Sequence, residues 1–188
     1  MSATDTQEDT PMKAAFVMYA SYNKWANDLL LKECGQLPSE DYHRDLGSYF
    51  NSIHGTMDHQ LVADKVWLYR FTAQGDPIDS LDEQMTGDFA TLNEKRRLLD
   101  ERICSVVDQM QEKDFLRTMI YRTIRKPLVM QQPLGAALFH FFNHQTHHRG
   151  QVHAMLTQLG RTPEPLDMIY FQRETGHGMA KEEDMITA

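Results

Sequence analysis

Only two cysteines, Cys34 and Cys104, occur in the 188 residues of this chain. They are too few for a disulfide framework, and their separation matches no metal-binding cysteine spacing. Both read as reduced, packed side chains of a cytoplasmic protein. No run approaches the roughly 18 continuous apolar residues of a membrane span, which excludes that architecture. The first ten residues are polar and acidic and lack the basic start and apolar run of a signal peptide. Positive charge is also short: 19 Lys and Arg against 27 Asp and Glu give a net charge of −8. Nucleic-acid binding draws its affinity from clustered cations, so that partner is excluded, and an anionic lipid surface with it. The densest basic spots, Lys95-Arg96-Arg97 and Arg122 to Lys126, are short and read as solvated faces. Internal repeats and low-complexity tracts are absent.

What the chain does have is helical periodicity. Phe16, Tyr19, Ala20, Asn23, Ala26 and Leu30 follow helical spacing and predict a helix over 12–37, stopped by Pro38-Ser39. Phe50, Ile53, Met57, Leu61 and Leu68 predict a second helix over 46–71, before a loop at Gly75-Asp76-Pro77. A third, free of Gly and Pro, is expected over 88–111. Residues 116–132 carry β-branched side chains and Pro127 and suggest a short irregular hairpin. Pro133 suits the first turn of a fourth helix, which Gly160 ends. A short fifth helix begins near Pro165. The expected architecture is an all-α helical bundle over 12–174, between a disordered N-terminal tail (1–11) and a polar C-terminal tail (175–188).

Five of the nine histidines fall between positions 140 and 153. His140, His144 and His148 follow one another at i, i+4, which puts each successive pair one turn apart with Cβ atoms about 6 Å apart. Such a pair can converge on one divalent cation. His140 and His148 are about 12 Å apart along the axis and cannot share an ion, so the pair is 140/144 or 144/148. His147 points to the other side of His144 and is the weaker ligand. A third ligand has to come from another helix. His54 and His59 on the second helix lie about 140° apart around it, so only one can face the site, and spacing does not choose. Three imidazoles with positions left open is the arrangement of a catalytic metal. His43, His153 and His177 read as isolated surface or core residues.

Tyr22-Asn23-Lys24-Trp25-Ala26-Asn27, Ser52 to His59 running on to Ala63 through Arg70, Asn143 to His153, and Gly160-Arg161-Thr162-Pro163 with Leu166 to Tyr170 together resemble the DinB-like family of bacterial proteins. The resemblance spans about 14–174, with the motifs in order. It implies a four-helix bundle of up-down-down-up connectivity, often dimeric, binding a divalent metal through three histidines; imidazole donors suit zinc, nickel, copper and iron, and zinc or nickel is the ion expected here. Carried over by position, these are His59, His144 and His148. His54 falls where the family uses no ligand, and His140 and His147 become supporting or packing residues. Relatives of known chemistry include thiol-dependent S-transferases and a thiol-dependent isomerase, and others have been labelled hydrolases.

The expected function is therefore metal-dependent transfer of a small thiol to a small-molecule substrate. No motif puts Cys34 or Cys104 near the site, so the thiol should be a separate molecule. Hydrolysis is the alternative and needs a general base. Asp58 and Asp64 are near in sequence, Asp64 reading rather as a structural acid. A third reading is a non-catalytic metal-binding protein of the stress response.

Overall fold

The computed structural model describes residues 11–179. In chain order its elements are α1 (Pro11–Cys34), α2 (Ser39–His43), α3 (Ile53–Thr72), α4 (Phe89–Gln109), α5 (Glu112–Phe115), β1 (Thr118–Arg122), β2 (Val129–Pro133), α6 (Leu134–Gln158) and α7 (Met168–Thr175). The expected tails fall mostly on 1–10 and 180–188, outside the described residues. Among the described residues, no helix is long and apolar enough to cross a membrane.

Four long helices share one core. Both α1 and α3 pack against α4 and α6. Phe16 and Leu30 of α1, Leu61 and Leu68 of α3, Leu92 and Ile103 of α4, and Phe141, Val152 and Leu156 of α6 fill the space between them. Burying a side chain of this size contributes about 1.5–3 kcal/mol.

The segment expected to open the second helix at about Leu46 is not helical. Asp45 Oδ1 accepts from the Gly47 amide at 2.9 Å, and Gly47 and Asn51 both adopt positive φ, at 72° and 65°. A side-chain-stabilised turn thus competes with the helix, and Ser52 starts α3 instead, its hydroxyl accepting from the Gly55 amide at 3.0 Å. Gly55 is required here: a Cβ at that position would lie 2.3 Å from the Phe50 carbonyl oxygen. This close approach lays Phe50 across the first turn of α3.

The 116–132 hairpin forms as β1 and β2, antiparallel with Ile120 opposite Gln131. Strand alternation turns Met119 into the core and Tyr121 partly inward, whereas Ile120 faces solvent. The Tyr121 ring meets Trp67 of α3 edge-on at 5.4 Å and so lays the hairpin on that helix. The 73–88 connection is tied down by Asp58, which accepts from the Met85 amide at 2.8 Å and the Thr86 hydroxyl at 2.6 Å. The short helices α2 and α5 have no counterpart in the periodicity.

A polar network crosses the core. Asn23, Asn27, Gln60, Asp64, Arg96, Asp100, Gln145 and Arg149, two from each long helix, are all at most 3 % exposed. Arg96 pairs with Asp64 at 2.6 Å and with Asp100 at 2.9 Å. Asn27 and Asn23 donate to Asp100, Gln145 donates to Asp64, and Arg149 donates to Asn23. The expectation of a solvated face at Lys95-Arg96-Arg97 is therefore corrected at its middle residue. Two arginines and two aspartates close the balance of charge inside the core, as buried ions require.

Candidate metal centre

α3 supplies His59, and α6 supplies His144 and His148 one turn apart. One ring nitrogen from each lies within 4.8 Å of those of the other two. His144 Nε2 and His148 Nε2 are 3.0 Å apart. The His59 ring centroid is 5.5 Å from that of His144 and 4.9 Å from that of His148. The two helices are held in register beside the rings: Gln60, next to His59, donates to the side chain of Gln145, next to His144, at 2.9 Å. Phe50 stacks on His59 at 4.0 Å and meets His148 edge-on at 5.6 Å, which fixes both ring planes.

This donor set fits a divalent cation. Two nitrogens about 2.0–2.1 Å from one ion, at angles of roughly 90–110°, are about 2.9–3.4 Å apart, the range in which the two Nε2 atoms stand. Gln151 Oε1 lies 2.8 Å from His148 Nδ1 and can only accept, so the proton sits on Nδ1 and the Nε2 lone pair faces His144. His59 Nδ1 is buried without a hydrogen-bond partner. A neutral imidazole left so calls for a proton acceptor or a cation.

Burial, and then the neighbouring His148, lowers the His59 pKa to about 4. Burial, followed by His148 and His59, lowers that of His144 to about 3, and burial lowers that of His148. All three rings are neutral at neutral pH, the form that ligates. Protons should therefore compete weakly with metal. Three ordinary imidazoles would lose roughly 1000-fold in affinity between pH 7.5 and 5.5. Here a metal titration at the two pH values is expected to differ by less than tenfold, and a 1000-fold loss would contradict the depressed values. Stability falls in the same direction, and the depressed values make that loss larger. Below pH 6.5 the unfolded histidines take up protons that the folded rings refuse, so the metal-free protein loses stability as pH falls from 6.5 toward 4.

The remaining candidates lie elsewhere. His54 Nε2 donates to the Thr86 carbonyl at 3.2 Å, and its ring packs on Tyr42 and His43. His140 leans on Trp67, 5.9 Å from the His144 ring, outside the cluster of three. His147 reaches Gln151, and His153 the Glu164 carbonyl. Phe139, an apolar neighbour of the histidine pair in sequence, is 45 % exposed and does not help to bury it. Both Asp58 oxygens hold the 73–88 connection, and Asp64 is committed to Arg96 and Gln145, so neither is free to act as a base. Cys34 is buried against Met57, with burial pushing its thiol up to about 12. Cys104 points at the Ala20 carbonyl. Neither reaches the imidazoles.

Two clefts of about 520 Å³ each adjoin the cluster. One runs from His59 and His144 along Trp67, Tyr121 and Leu128 beneath the hairpin tip. The other contains Phe50, His147, His148 and Gln151. His59, His144, Leu81 and Arg125 border both. Sequence reasoning missed Phe50, Leu81, Arg125 and the role of Gln151. Of these, only Gln151, three residues after His148 on the same helix, carried a spacing signal.

Comparison with known proteins gives the family and the fold. The DinB family profile matches residues 6–185. Protein DinB of Bacillus subtilis (strain 168) is 30% identical, over 81% of this chain and 90% of that protein. A crystal structure of a DinB-like protein from Bacillus cereus ATCC 10987 has a TM-score of 0.62 at 17% identity, covering 80% of this chain and 94% of that one, a likeness of fold. The chain, with three imidazoles gathered between two of its long helices, belongs to the DinB family.

Proposed function

We propose that this protein is a divalent-metal-dependent enzyme, with His59, His144 and His148 as ligands to zinc or nickel, that transfers a small thiol to an electrophilic small molecule. The observation that carries the reading is the side of the imidazole cluster bordered by an apolar cleft of about 520 Å³. A divalent cation there supplies the positive charge that lowers a thiol's pKa from about 8.5 and makes it nucleophilic at neutral pH. The chain's own residues do the rest. Each of the three rings offers one nitrogen to the ion, Gln151 keeps the proton of His148 on the outer nitrogen, and Trp67, Tyr121 and Leu81 line the apolar side of the cleft. The thiol proton leaves to solvent. Its sulfur forms a bond to the electrophilic carbon as the bond to the leaving group breaks and that group departs with the electron pair. No general base is required, and the engagement of Asp58 and Asp64 favours transfer over hydrolysis.

The same proposal takes the domain as residues 12–174, an up-down-down-up four-helix bundle working as a cytoplasmic homodimer. Cross-helix pairs support the connectivity. Asn23 to Asp100 and Asp28 to Arg97 run α4 against α1, Gln60 to Gln145 and Phe71 to Phe141 run α6 against α3, and Phe16 to Phe142 with Asn23 to Arg149 run α6 along α1.

Metal-loaded protein incubated with a panel of small thiols and electrophiles (epoxides, activated aryl halides) is expected to consume thiol. His144→Ala should reduce the rate roughly 100-fold or more. Faster turnover of esters without thiol would instead favour hydrolysis. Stoichiometric metal with no turnover across the panel would leave the non-catalytic reading.

A further inference from the structure

We propose that the cleft under the hairpin tip binds an organic anion, with its carboxylate on Arg70 and its apolar body along Trp67 toward the imidazoles. The inference deepens the function proposed above by naming the charge of the ligand, and its binding test is independent of turnover.

Charge singles out this cleft. The chain carries 27 acids against 19 bases, yet the two larger clefts beside the histidines have no Asp or Glu in their walls, whereas a third and smaller one that reaches His59 is lined by Asp58, Asp82 and Glu83. Arg70, Arg125 and Lys126 all border the one under the hairpin. In an acidic protein a cleft whose only charged wall residues are cations focuses a positive potential that attracts anions.

Arg70 is the built part of this wall. It is half-buried, and its guanidinium lies over both aromatic rings, 4.7 Å from that of Trp67 and 4.5 Å from that of Tyr121. One of its five N–H groups donates to the Arg122 carbonyl at 3.0 Å, and it has no carboxylate partner among the described residues. Such a guanidinium, oriented by aromatic faces and short of an acceptor, presents the fork that a carboxylate matches with two parallel hydrogen bonds. Arg125, by contrast, is exposed and already reaches Asp82 and the Tyr49 hydroxyl. It attracts the anion at the mouth, and Arg70 holds it.

The carboxylate can belong to the thiol or to the electrophile, and two pairs of probes separate these sources. Calorimetry on chelator-treated, metal-free protein would compare 4-nitrobenzoate with 4-nitrobenzamide, and 3-mercaptopropionate with 3-mercaptopropionamide. In at least one pair the acid is expected to bind roughly tenfold or more tighter than the amide, the range of a charge-assisted hydrogen bond. Arg70→Met should remove that preference, and Arg70→Lys should restore part of it. Preference in the aromatic pair alone puts the carboxylate on the electrophile, and preference in the thiol pair alone puts it on the thiol. Equal binding of acid and amide in both pairs, or a preference unchanged in Arg70→Met while circular dichroism reports a folded variant, overturns the proposal. A missing metal in the wild type would sink the centre above and leave this result standing, so the two failures are distinguishable.

Discussion

Alanine at His59, His144 or His148 should each abolish stoichiometric binding of zinc or nickel, while alanine at His54 or His147 leaves it intact. Three donors converge here, and removing one leaves two that cannot enclose the ion. Loss of a supporting partner alone costs about 10–100-fold in affinity, and loss of a ligand costs more. Gln151→Ala should fall in that lesser range, because it frees the His148 tautomer without deleting a ligand. Elemental analysis and competition titration with a chromogenic chelator measure both effects. Full metal content in His59→Ala together with loss in His54→Ala would refute the assignment. His54 is the informative control, since it sits on the same helix but spends its Nε2 on the Thr86 carbonyl.

The second large effect concerns stability. Asp64→Ala or Arg96→Ala should destabilise the fold by about 3–5 kcal/mol, since each removes a buried ion-pair partner and leaves the charges of the interior network unbalanced. At this chain length that lowers Tm by roughly 6–20 °C. Asp28→Ala, which breaks an ion pair of similar length (2.9 Å) between half-exposed partners, should cost about 0–1 kcal/mol. Urea titrations of the three variants would decide. Equal effects would mean that the interior network contributes no more than a surface pair. Replacing Asp64 and Arg96 together by apolar residues should recover part of the loss, although Gln145 then loses its carboxylate acceptor and Asp100 keeps the Asn23 and Asn27 donors without a cation.

Much of the helical framework was legible in the sequence. The periodicity in 12–37 and 88–111 is long and uninterrupted, and the helices end within three residues of the expected positions. The histidine spacing on the fourth helix limited the metal pair to two choices. What separated them is tertiary: His59 lies across from His144 and His148, whereas His140 faces Trp67. Local pattern failed at residues 46–52, where an aspartate side chain bonding the backbone outcompetes an apolar stripe that looks helical. It failed again at Arg96. An arginine flanked by Lys95 and Arg97 looks solvated until α3 and its own helix supply two carboxylates to meet it. The cleft walls were beyond reach for the same reason, because Phe50, Leu81 and Arg125 come from three separate connections that only the fold brings over the rings.

The lattice of amides, carboxylates and guanidiniums through the interior has one further consequence. Sliding any of the four rods by a single turn would strand charge in a dry environment, so their relative heights are set by the protein itself. The imidazoles consequently stand at their mutual spacing before a cation arrives. Folding of such a molecule should not depend on metal, and a cation would enter a finished mould rather than shape one, unlike the small zinc modules that collapse when stripped.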